Sequence, residues 1–158
     1  MDENWLKQTP EGQCQLADIA RRALAAFRND SQEAYAQLVR EYDNSSAVIG
    51  IFGLGSVILT VSGGEAAIAE RAPDKPARLV GRAALYPETI LALSEGRMTP
   101  IEAFHSGDLV VRAESDDLHR AYGLMVKYTD TALRSQQLQS VLKEFRALSL
   151  SATGGAHG

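Results

Sequence analysis

Cysteine is almost missing from this chain: Cys14 is the only one, so no internal disulfide can form and a Cys-based zinc site would lack ligands. Histidine is scarce as well. His105 and His119 stand fourteen positions apart and His157 sits near the end, so no pair has metal-ligand spacing and no metal is expected. No apolar run approaches the roughly 18 residues that a membrane-spanning helix requires. Basic residues nowhere cluster. The formal charge is −4 and Arg21 and Arg22 are the only adjacent Lys or Arg residues, which argues against a face built to neutralise phosphates; no nucleic-acid partner is expected. The opening Met-Asp-Glu-Asn-Trp is acidic where a secretory leader is basic and then apolar, and the closing Gly-Gly-Ala-His-Gly is not a peroxisomal tripeptide. A cytoplasmic location is the expectation.

What is present suits one globular domain. A chain of 158 residues, 45% hydrophobic and 23% charged, is long enough to bury a core unaided and is too apolar for a disordered class. Residues 13–28 place Leu16, Ile19, Ala20, Ala23 and Phe27 on one stripe and predict an amphipathic helix. Asp30 and Glu33 have capping-box spacing for a second helix over 31–42, with Ala34, Tyr35, Leu38, Val39 and Tyr42 as its apolar stripe. This pair, residues 1–45, reads as an N-terminal helical extension that packs on the sheet or on itself, or serves as a dimerisation or docking arm anchored by Trp5. Strands follow at 47–52, at 57–62, where Val57, Leu59 and Val61 alternate with Ile58, Thr60 and Ser62, at 65–70 after a Gly63-Gly64 turn, and at 77–84. Gly53-Leu54-Gly55 reads as a hairpin turn or a bulge, since a dinucleotide loop would need a third glycine, a following helix and an acid further on.

The chain is organised around residues 85–114. Pro87 opens a short helix and Gly96 ends it. Thr99, Pro100 and Glu102 then write a capping box on a proline start, and Gly107 closes that second helix. From 108 to 114 the period changes to two, with Leu109, Val111 and Ala113 on one face. Ser115 caps a further helix, with Asp116 and Asp117 complementing its dipole, and Leu138, Val141, Leu142, Phe145 and Leu148 mark a last one. Beyond Ser149 nothing is periodic, so 151–158 reads as a flexible tail after a C-terminal helix at 135–150. The fold class expected is α+β: about five mainly antiparallel strands, covered on one face by short helices.

Gly96, Met98, Pro100, Ala103, Phe104, Gly107, Leu109 and Val111, followed by Glu114 and the helix after Ser115, resemble the signature of the sterol carrier protein 2 (SCP2-like) domain family. The resemblance covers about 46–134. Ala113 departs from it where the family often has glycine, and residues 1–45 have no counterpart. It implies an apolar tunnel between sheet and helices that takes up lipids, sterols or isoprenoid-like or polyketide-like molecules, with no cofactor.

On that basis the tunnel lining is expected from Leu59, Val61, Ile90, Leu93, Met98, Ile101, Phe104, Leu109, Leu118, Tyr122 and Met125. Periodicity alone leaves open whether these side chains line a space or fill a core. The function expected is binding of a hydrophobic small molecule, as a carrier or an accessory factor. One alternative is an enzyme using the same cavity for acid–base cyclisation or isomerisation, with His105, Asp108 and Tyr122 as its groups. Another is an interaction protein whose terminal helices form a homodimer or dock on a partner enzyme. Arg82 and Arg112 are expected on the polar face of the sheet, unless one turns inward to hold an anionic head group.

Overall fold

The structure, a computed structural model, describes residues 10–70 and 78–156, with side chains described from 15 to 70 and 78 to 151. Trp5, the charged and proline-rich segment 71–77 and His157 lie outside the described residues. Eleven elements follow in order among them: α1 Pro10–Asp30, α2 Gln32–Glu41, β1 Ser45–Ile51, β2 Gly55–Ser62, β3 Glu65–Ala69, β4 Arg78–Leu85, α3 Pro87–Ser94, α4 Pro100–Ser106, β5 Leu109–Ala113, α5 Ser115–Arg134 and α6 Gln136–Ala156.

The strands form one sheet in the order β3-β2-β1-β4-β5. Neighbouring strands are antiparallel except β1 and β4, which run parallel because the β2–β3 hairpin intervenes between them in the chain. Gly63 and Gly64 make the hairpin turn with φ of +60° and +81°, the conformation a two-residue turn demands at both positions. One irregularity breaks the parallel ladder: Ser46 pairs with Leu79 but Ala47 pairs with Gly81, so Val80 is an extra residue in β4.

Period-two alternation gives the sheet one face rich in Ala47, Ile49, Ile51, Val57, Leu59 and Val61, and the packed helices lie on that side. The other face carries Arg82 and Arg112 as exposed cross-strand partners, together with exposed Leu79 and Val110. Leu16, Ala17 and Ile19 of α1 share a core with Ile51, Val57, Leu91, Leu109 and Phe145. The N-terminal helices therefore pack on the same sheet as the rest of the chain.

Two helix starts differ from the sequence reading. α1 runs through Asp30, so Ser31 becomes the N-cap of α2 and no side chain caps it. Asp30 is occupied elsewhere: its carboxylate accepts a hydrogen bond from Ser135 Oγ at the α5–α6 joint, while Ser31 Oγ meets Thr131 Oγ1. A tertiary tie between the two helix joints has displaced the local cap. α5 begins at Ser115 itself, with Glu114 as N-cap. At the other end α6 continues to Ala156, past the expected start of a tail at 151, since no proline interrupts its backbone ladder there.

The capping box of α4 forms as expected. Glu102 N–H donates to Thr99 Oγ1 at 3.2 Å, and Thr99 N–H donates to Glu102 Oε1 at 3.2 Å. Gly107 closes the helix with φ +82°. Replacing Thr99 by Ala removes one arm of this exchange and should lower unfolding stability by about 1 kcal/mol, read as an earlier urea midpoint with an unchanged slope.

Candidate functional site

Across the middle of the sheet runs a row of residues with little or no side chain. Ala47 of β1 pairs with Gly81 of β4, and Gly81 with Ala113 of β5. Leu59 continues the row on β2. The next rows are filled by larger groups, Val57 and Ile49 among them, so the helices above are held off the sheet while its centre is left unfilled. The result is a cavity of about 140 Å³. Leu38 of α2, its C-cap residue Tyr42, and Ala121, Leu124 and Met125 from α5 border it as well. Gly81 is needed twice over: besides leaving the floor low, it sits where an added Cβ would come within 3.1 Å of Ala113 Cβ and of the Arg112 carbonyl oxygen.

Ser45, Ser46, Arg82 and Tyr42 also border this space, and its one carboxylate among the described residues is Asp117, only 3% exposed. It enters from the first turn of α5, where the helix dipole favours a carboxylate. Arg78, at the start of β4, donates from Nη2 to Asp117 Oδ2 at 2.6 Å, and Arg120 Nη1 lies 3.5 Å from Oδ1. Tyr42 borders the same space. Burial, with the negative charges of Glu41 and Asp117 behind it, pushes its hydroxyl up to about 12. Burial likewise raises Tyr128, whose hydroxyl is paired at 3.1 Å with the fully buried Ser94 Oγ in the layer between α3 and α5.

Of the residues predicted to line the space, Leu59, Val61 and Met125 border this cavity. Leu93 and Leu109 are buried in the larger core, with Ile90 and Met98 packed against it. Ile101, Phe104 and Tyr122 are 44%, 42% and 38% exposed, and Leu118 is half-buried on α5. Residues of the short helices α3 and α4 share a buried core with Leu16 and Ile19 from α1 and Val141 and Phe145 from α6. His105 is exposed at the end of α4, with its ring edge-on to Phe104 at 6.3 Å. Asp108 accepts instead from Ser106 Oγ at 2.8 Å. None of His105, Asp108 and Tyr122 borders the cavity, and among the described residues no group of His, Cys, Asp and Glu is arranged to hold a metal.

Sequence reasoning misses Tyr42, Val80, Leu124 and above all Asp117, which local spacing makes a dipole partner alone. The signal for Asp117 was faint: Arg120 three residues on was visible, but Arg78 is a neighbour only through the fold.

No protein-family model and no curated protein matches the chain. Solved structures do. The sterol carrier protein domain 2 of Helicoverpa armigera superposes with a TM-score of 0.53 at 14% identity, over 78% of this chain and 94% of that one. Sterol carrier protein 2 from Yarrowia lipolytica gives 0.49 at 17% identity over 79% and 98%, and a UbiJ-SCP2 ubiquinone synthesis protein 0.49 at 12% over 77% and 94%. The fold is that of an SCP2 domain, an open mixed sheet with helices on one side. Among the described residues no helix is long and apolar enough to cross a membrane.

The raised hydroxyl of Tyr42 gives a direct check. Its ionisation is favoured in the unfolded chain, near pH 10, and delayed in the folded one to about 12. Its contribution to stability is therefore full below pH 10 and is lost as pH rises towards 12. Tyr42→Phe should remove a late-titrating step from the tyrosinate absorbance curve and flatten the fall of stability across that window.

Proposed function

We propose that the chain binds a hydrophobic small molecule between its sheet and α2 and α5, as a carrier or as an accessory factor that presents the guest to an enzyme. The observation that carries the reading is the cavity itself, lined by aliphatic and aromatic side chains over a floor of Ala47, Gly81 and Ala113. Side chains that face an unfilled space forgo contacts that a packed core would give them. A guest restores those contacts. An apolar cavity of about 150 Å³ is enough to stay dry and take up benzene, so a short aliphatic or cyclic segment fits here, and a longer guest extends through the open side. The fold likeness to a sterol carrier protein domain supports a lipid-like guest, of lipid, sterol, isoprenoid or polyketide-like type. Affinity would come from buried aliphatic surface at about 25 cal/mol per Å².

The test exploits the small floor. Ala47→Leu adds three carbons to the cavity without touching the strand ladder. It should leave stability equal or slightly higher and cut the fluorescence enhancement of N-phenyl-1-naphthylamine at least fivefold. Phe104→Ala, at an exposed position on α4, should leave that enhancement unchanged. The reading fails when wild-type protein gives no enhancement, or when Ala47→Leu matches it.

A further inference from the structure

The two edges of the sheet are treated differently. On β3 the helices take up outward backbone groups: Ala66 N–H donates to the Tyr35 hydroxyl at 3.0 Å, and Arg21 Nε donates to the Ile68 carbonyl at 3.3 Å. β5 has no such cover among the described residues. Its orientation follows from its neighbour. The Leu85 carbonyl accepts Phe52 N–H at 3.0 Å, so Leu85 and, by alternation, Ala83 and Gly81 turn their backbone groups towards β1. Arg82 and Ala84 therefore bond to β5, through their partners Arg112 and Val110. The N–H and C=O groups of Leu109 and Val111 are left pointing away from the sheet, a template for one more strand. The edge carries no proline, lysine or bulge to discourage pairing. Helices α4 and α5 pack beside it, with Ile101, Phe104 and Tyr122 exposed on them and Val110 exposed on the strand.

We propose that this edge pairs with β5 of a second copy of the chain, antiparallel about a two-fold axis at Val110, so that the sheet continues from one subunit into the next. Backbone direction and charge together set the register. Outward groups must meet outward groups, so Val111 pairs with Leu109 of the second copy and Leu109 with its Val111. Val110 then meets its own counterpart. Arg112 stands opposite Asp108 of the second copy, and the pair recurs on the other side of the axis. Arg112 lacks such a partner within its own chain: its cross-strand neighbour is Arg82, and among the described residues no acid pairs with it. Asp108 has an oxygen to offer, since Ser106 Oγ engages only Oδ2, at 2.8 Å. A register centred on Val111 would instead set Glu114 against Asp108, two carboxylates face to face, which disfavours it. The charge pattern of this strand is thus complementary to itself, which is what an isologous contact requires. The proposal is independent of the cavity and its guest.

Sedimentation equilibrium of the full chain at pH 7, from about 5 to about 500 µM, should show a monomer passing into a dimer. Arg112→Asp sets acid against acid at both ends of the contact, and Asp108→Arg sets arginine against arginine. Each change should weaken the dimer by about tenfold or more, while the double variant, in which opposite charges meet again, should return to within about threefold of wild type. Hydrogen exchange of the wild-type chain supplies a check that needs no variant. On raising the concentration, the amides of Leu109 and Val111 should slow and those of the terminal helices α1 and α6 should not. A chain that stays monomeric throughout overturns the proposal. So does a dimer indifferent to both single changes, a double variant no tighter than the singles, or slowed exchange in α1 and α6 in place of β5.

Discussion

A line of side chains that end at or before Cβ, crossing β1, β4 and β5, is the constraint from which the rest of this molecule's behaviour follows. A sheet covered on one side needs its inner face filled to the density of an organic crystal. Where the rows carry Ile51, Val57, Leu85 and Leu109, residues of α1, α3, α4 and α6 share a buried core with them. Where the row carries Ala47, Gly81 and Ala113, α2 and α5 bridge across and do not descend. Gly81 cannot be enlarged cheaply, since Ala113 Cβ and the Arg112 carbonyl oxygen crowd it. The hollow is thus enforced by close approach of backbone as well as by small residue size.

The fold divides into a solid half and a hollow half over one continuous sheet. The solid half gathers both ends of the chain, α1 and α6, over the short helices that follow β4. The hollow half is bounded by α2 and α5, and the joints at which these helices meet α1 and α6 are tied to each other through Asp30 with Ser135 and Ser31 with Thr131. Ser135 Oγ also receives the Leu138 N–H at 3.0 Å, so the same hydroxyl opens α6 and anchors the opposite joint. The N-terminal pair is structural on this account, because Leu38 and Tyr42 supply part of the roof and Leu16 and Ile19 fill the neighbouring core.

Much of this was legible in the residue order. The proline starts at Pro87 and Pro100, the stops at Gly96 and Gly107, the turn at Gly63 and Gly64 and the alternation of Val57, Leu59 and Val61 are local signals, and local signals fix elements. The site was read less well, for a physical reason. Phe104, Ile101 and Tyr122 sit at apolar helical positions, and periodicity says that such positions face something without saying what. A cavity is made by what is absent from a layer, here by Ala47, Gly81 and Ala113 falling into one cross-strand row, and that coincidence depends on register. Asp117 was hidden in the same way. Its sequence neighbours make it a helix-dipole partner, and only the arrival of Arg78 from a strand far away in the chain shows that it is buried and paired.

The extra residue in β4 settles a matter of parity. Arg78 and Gly81 are three positions apart, an odd number, and in an uninterrupted strand they would point to opposite sides. Val80 absorbs the mismatch, so Arg78 opposite Ser45 and Gly81 opposite Ala47 both belong to the covered side. Drawing this strand into an uninterrupted ladder with Val80 paired in turn would oblige the chain to give up one or the other. Either the guanidinium swings out to solvent and abandons a carboxylate sealed among aliphatic groups, or a bulkier side chain rotates into the floor and closes the hollow. Charge balance at Asp117 and empty volume above Gly81 are in that sense a single property of this protein, counted out by the spacing of one strand.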